Sequence, residues 1–184
     1  MPALSRVWTR EEVLALPDDG NRYELVDGEL LVSPAPRWLH QIGVGKLHVL
    51  VEPYVQRHRL GITLFSPADL DLGSGQLVQP DLFVAGSVSG RVPAEWSEVG
   101  VPILIVEVLS PSTSRYDRIV KRRRYQASGV STYWIVDLDA RAVEVWTPGD
   151  ERPRIISDQL VWQPSLEIEP LMIELDSYFR EVWR

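Results

Sequence analysis

Asp81, Glu107 and Lys121 are the residues whose types and spacing could do chemistry together. The two acids each stand alone in an apolar run, Leu77–Val84 and Pro102–Val108, and the lysine follows in a basic segment. A short apolar run bounded by prolines reads as a strand buried on both faces. An ionised, unpaired carboxylate in such a strand costs several kcal/mol, so it demands a cation, a metal or a proton. A buried ion pair, or a glutamate at a strand end that reaches water, would meet the same demand. Two strands separated by one loop sit side by side, which makes Asp81 and Glu107 neighbours on a sheet. Paired carboxylates on adjacent rigid strands form an all-oxygen site suited to Mg²⁺ or Mn²⁺, ions that keep waters and bind substrate phosphates. The matching chemistry is hydrolysis of a phosphodiester.

The positive partner follows Glu107. Asp117 and Lys121 are four residues apart, as are Lys121 and Tyr125, and Arg118 and Arg122, so two adjacent stripes run along one helix. Lys121 can point back toward Glu107 and there orient water or stabilise developing charge. Arg115, Arg118 and Arg122, with Arg123 and Arg124, could track a phosphate backbone. A solvated helix face is the plainer account of such a basic run.

The elements that must position these groups are legible in turn. Thr9-Arg10-Glu11-Glu12 is a capping box that starts a short helix, ended by Pro17. Tyr23–Val26 and Glu29–Val32 flank Asp27-Gly28 as a hairpin. Leu39 to about Arg59 carries apolar residues at helical spacing. His40, His48 and His58 lie on or beside that helix without metal-ligand spacing, and read as solvated or core-edge side chains. One strand is expected over 62–65 and 68–72, kinked at Pro67, and the next over 77–84. A loop over 85–100 is expected to carry a short helical turn near Trp96. After the strand that holds Glu107, Ser112 or Thr113 caps a helix over 116–128, closed by Gly129. Strands at 133–137 and 142–147 pair, short strands follow near Ile155, 160–162 and 166–168, and Asp176 caps a last amphipathic turn or two. Strands before and after a crossover helix predict a mixed α/β (α+β) fold, a central sheet flanked by helices with a strand-rich C-terminal extension.

Composition bounds the function. The chain has 184 residues, 45% of them hydrophobic, which reads as one domain over 1–184. With no cysteine, neither a disulfide frame nor a thiolate site exists. No membrane span or secretory signal is apparent, and the expected setting is soluble and cytoplasmic. A net charge of -7 argues against coating nucleic acid over the whole surface, while leaving room for a local basic track. No helix-turn-helix or zinc-finger pattern supplies a recognition element.

Gln79-Pro80-Asp81, Val106-Glu107-Val108-Leu109-Ser110-Pro111-Ser112-Thr113, Asp117 with Lys121, Tyr125, Gly129-Val130, Tyr133-Trp134-Ile135-Val136-Asp137 and the Tyr23–Gly28 hairpin together resemble the Uma-two family of restriction endonucleases, within the PD-(D/E)XK nuclease superfamily. The resemblance spans nearly the whole chain. It implies a restriction-endonuclease-like core, a divalent metal (Mg²⁺ or Mn²⁺), and nucleic acid, DNA foremost, as partner. Asp81 matches the first metal-binding acid of the motif and Glu107 the second. Leu109 stands where the motif's lysine is usual, and Lys121 looks like its migrated replacement. The resemblance adds Glu24 as a further acid near the site and Gln41 as a polar neighbour, while Thr132 replaces an acid usual before the Tyr-Trp pair. A homodimer is compatible with this reading, although the sequence offers no symmetry argument. The alternative is a non-catalytic nucleic-acid-binding or protein-interaction module on the same fold. Lys121 paired with Asp117 and turned away from Glu107 would favour that alternative.

Overall fold

The computed structural model describes residues 6–73, 76–88, 90–95, 98–111 and 113–184. The capping box forms as expected: Thr9 caps α1 (Arg10–Leu14) and the Glu12 side chain accepts from the Thr9 N–H. β1 (Arg22–Val26) and β2 (Glu29–Ser33) are an antiparallel hairpin. Its turn needs positive φ at both Asp27 and Gly28, which an Asp-Gly pair supplies. α2 (Trp38–Arg57) buries Val44, Leu47, Val51 and Val55, the stripe that the helical spacing predicts. The chain leaves α2 through Gly61 at the start of β3 (Gly61–Phe65), where φ is +150° and an added Cβ would meet the Ala85 carbonyl oxygen at 1.8 Å. Only glycine fits so close a backbone approach.

Two expected strands are each divided between two sheets. β3 and β4 (Leu70–Asp71) part on either side of Pro67, and β5 (Leu77–Val78) and β6 (Leu82–Gly86) part at Gln79-Pro80-Asp81. The physical reason at the second break is Pro80, which has no N–H for a ladder. β7 (Leu104–Val108) lies antiparallel to β6. A helical run then crosses to β8 (Tyr133–Asp137), parallel to β7, and β9 (Ala142–Trp146) and β10 (Arg154–Ile156) follow antiparallel. The result is a mixed six-stranded sheet in the order β10-β9-β8-β7-β6-β3, beside a small sheet β2-β1-β5-β4.

One face of the large sheet, with Leu82, Leu104, Val106 and Trp134, packs on α2 and on α5 (Leu175–Val182). The opposite face, with Phe83, Ile105, Tyr133 and Ile135, packs on Tyr125, Val130 and the small sheet. The strand expected at 166–168 is absent. Instead β12 (Leu171–Glu174) pairs with β11 (Gln159–Trp162), beyond the interruption made by Pro164 and Pro170. Glu174 caps α5, and Asp176 lies in its first turn. Ser112 and the turn expected near Trp96 lie outside the described residues. Among the described residues no helix is long and apolar enough to cross a membrane.

Candidate active site

The helical run after β7 comprises α3 (Ser114–Tyr116), a π-helical turn (Asp117–Lys121) and α4 (Arg122–Ala127). In the π turn the Arg122 N–H reaches back five residues to the Asp117 carbonyl. Such turns insert a residue into a helix and recur at functional sites. This one buries both Asp117 and Lys121 against the sheet.

β6 and β7 bring the acids together. Their register, Leu82 opposite Val106, continues one step to set Asp81 opposite Glu107 on the face that carries Phe83 and Ile105. Asp81 sits just before β6 and uses its side chain in the ladder's place, Oδ2 accepting from the Val108 N–H at 2.8 Å. Its Oδ1 accepts from Arg22 at 2.9 Å, and His40 Nε2 lies 3.0 Å from Oδ2. Across from it, Lys121 Nζ lies 2.9 Å from Glu24, 3.0 Å from Glu107 and 3.7 Å from Asp117. The Tyr125 hydroxyl donates to the same Glu107 oxygen at 2.9 Å, and Glu24 accepts from the Gln79 N–H. Lys121 is thus turned toward Glu107, and Asp117 is the most distant of its three carboxylates.

Burial sets the electrostatics. It pushes the Glu107 carboxyl well above the ordinary range; Lys121 opposes this, and Asp81, Asp117 and Glu24 add to it. At Asp81 burial also resists ionisation, but the His40 hydrogen bond and the charges of Arg22 and Lys121 outweigh it and hold the carboxyl low. Asp117 is pushed up to about 6 by burial, with Asp81 and Glu24 adding to the rise against Lys121 and a Thr113 hydrogen bond. Burial alone would lower Lys121, yet Glu107, Glu24 and Asp117 hold it well above the usual lysine value. At ordinary pH its ammonium is a fixed charge rather than a base.

Four buried carboxylates, Glu24, Asp81, Glu107 and Asp117, thus face two fixed cations, Arg22 and Lys121. One oxygen of Asp117, Oδ1, is buried without a hydrogen-bond partner. The oxygen donors fit a hard divalent cation. The acids are not converged, however: among the described residues no three such groups are arranged to hold a metal. The cluster floors a cleft of about 430 Å³ walled by Pro34, Pro36, Arg37 and Pro111.

Other residues singled out in the sequence lie elsewhere. Gln41 is exposed, and its neighbour His40 is the one that enters the cluster. His40 is therefore neither solvated nor a core-edge side chain, because the helical stripe that buries Val44, Leu47 and Val51 also turns residue 40 inward. Arg22 carried a signal too, since it alternates with Glu24 and shares its strand face. Arg118 is held by Glu144 at 2.6 Å and Asp137 at 3.0 Å, and Arg122 lies over the Trp146 ring. Arg115 is exposed.

A family model described as "Putative restriction endonuclease" (Uma2) matches residues 10–176. Among solved structures, a protein described as "a putative nuclease belonging to DUF820" from Anabaena variabilis ATCC 29413 is similar, with a TM-score of 0.73 and 17% identity over 95% of this chain and 99% of that one. At that identity the likeness is one of fold. Comparison with curated proteins gives no match.

Proposed function

The chain belongs to the Uma2 family, and from that premise we propose that it is a divalent-metal-dependent nuclease that hydrolyses phosphodiester bonds of nucleic acid. The observation that carries this reading is Lys121 Nζ at 3.0 Å from Glu107, delivered by a helix onto a strand whose neighbour presents Asp81. Asp81 and Glu107 would hold Mg²⁺ or Mn²⁺, with Glu24 and Asp117 as supporting acids. The chemistry supplied by such an ion, when bound, is activation of a water and neutralisation of charge on the phosphate. Lys121, kept protonated by its carboxylates, holds a water or a phosphate oxygen by charge and hydrogen bond. Arg22 and His40 fix the Asp81 carboxylate in place, and Tyr125 does the same for Glu107.

One observation favours a second reading, a nucleic-acid-binding or protein-interaction module without catalysis: both oxygens of Asp81 are already engaged by protein groups. Incubation of labelled single- and double-stranded oligonucleotides with the protein and Mg²⁺ separates the two. The nuclease should give products that chelation abolishes, and Lys121→Met should slow cleavage about 100-fold or more, the usual loss for one charge-stabilising donor. Intact oligonucleotides under Mg²⁺ and Mn²⁺ alike would favour the module.

A further inference from the structure

Hydrolysis requires the attacking water to lose a proton, and Lys121, a fixed cation, cannot take it. Most carboxylate oxygens around the lysine are engaged. Both oxygens of Asp81 lie against protein groups, and one oxygen each of Glu24 and Glu107 accepts from Lys121 and from a further donor. Among the described residues, Asp117 Oδ1 is the one carboxylate oxygen buried without a hydrogen-bond partner. It lies 3.7 Å from Lys121 Nζ, beyond hydrogen-bond reach but close enough for one water to bond both. Glu24 and Glu107 take two of the three ammonium hydrogens, which leaves the third for that water. The π-helical turn fixes Asp117 there. Its carbonyl accepts from the Arg122 N–H and, at 3.2 Å, from the Tyr133 hydroxyl, while its side chain lines the cleft.

We propose that Asp117 is a catalytic residue, the general base whose Oδ1 takes a proton from an attacking water held between it and Lys121. The inference rests on the nuclease reading of the same site and adds the proton acceptor. In the step, the water oxygen bonds to phosphorus and one of its protons passes to Asp117 Oδ1. The bond from phosphorus to the departing sugar oxygen breaks, and that oxygen keeps the electron pair and takes a proton from solvent. The surroundings of Asp117 suit it to this role. It is faced by Glu24 of β1, Asp81 beside β6, Glu107 of β7, the Tyr116 and Tyr133 hydroxyls, and Lys121 of its own turn. Burial first, then Asp81 and Glu24, outweigh Lys121 and the Thr113 hydrogen bond and set the carboxyl at about 6. Near neutral pH it is ionised, yet basic enough to accept a proton.

Single-turnover cleavage of a labelled oligonucleotide in saturating Mg²⁺, followed against pH, tests the inference. Wild-type cleavage should fall on acidification with a midpoint near 6. Asp117→Asn should slow cleavage about 100-fold or more and remove that acid limb, while binding Mn²⁺ with the wild-type affinity. Asp117→Glu, which keeps the carboxylate, should recover part of the rate. In metal-free protein carrying ¹³C-labelled aspartate, a carboxyl resonance titrating near 6 should be present in the wild type and missing from Asp117→Asn. Thermal melting of each variant checks its fold. An Asp117→Asn variant that cleaves like the wild type, keeps the acid limb or loses Mn²⁺ affinity in parallel overturns the base role and leaves the nuclease reading standing. A wild-type spectrum with no aspartate titrating near 6 overturns the base role without any variant. No cleavage by the wild type under Mg²⁺ or Mn²⁺ overturns the nuclease reading, and the base role with it.

Discussion

Asp117 shows what the buried cluster costs the fold. Its carboxyl is pushed from 3.8 up to about 6, by burial first. A group raised in this way adds stability while protonated, in full below its unfolded value, and that stability is lost as pH rises through the folded value. Asp117→Asn keeps the neutral shape, so it should be near neutral at pH about 4 and stabilise by about 2–3 kcal/mol above pH about 7. Denaturant melts of both proteins across this range check the trend, and a difference that stays constant with pH would contradict it. Asp81 runs the opposite way: its lowered pKa contributes stability above the ordinary carboxylate range that is lost on acidification. At this scale Asp81, Glu107 and Lys121 were legible because a lone charge in an apolar run, or a basic residue four positions from an acid, must answer to something nearby. In the sequence His40 reads as a solvated or core-edge side chain and Arg22 passes unremarked, since an isolated histidine names no partner and the alternation of Arg22 with Glu24 marks a shared strand face without pointing to Asp81.

Among the elements, the hairpin, α2 and the β7-to-β8 crossover follow from local patterns that burial reinforces. The breaks at Pro67 and Gln79-Pro80-Asp81 and the shift from 166–168 to β12 depend on which sheet each segment joins, a choice made by distant partners. The π turn is likewise invisible to a 3.6-residue period, because one inserted residue leaves the types and spacing of Asp117 and Lys121 unchanged. The tightest local requirement is Gly61, whose missing Cβ lets the chain pass the Ala85 carbonyl between α2 and β3. Gly61→Ala should destabilise the fold by more than about 1 kcal/mol without touching the cluster. A melting temperature equal to the wild type would show that the passage from α2 to β3 is looser than the 1.8 Å approach requires.

Across the whole molecule, the two layers on the sheet divide the work. α2 and α5 build the larger core on one face, and the small sheet and the π-helical turn close over the other, where the acids of β6 and β7 emerge. The cluster draws Arg22 and Glu24 from β1, His40 from α2, Asp81 from the edge of β6, Glu107 from β7 and Lys121 from the crossover, so nearly every layer contributes a group. Its four carboxyl groups are the donors that a divalent cation would use, and the central claim is that Asp81 and Glu107 hold it. Titration of the protein with Mn²⁺, followed by the loss of the free-ion electron paramagnetic resonance signal, tests this most directly and needs no substrate. The account predicts saturable binding by the wild type that Asp81→Asn and Glu107→Gln each abolish, while both variants retain the wild-type circular dichroism. Wild-type Mn²⁺ affinity in both folded variants would contradict it.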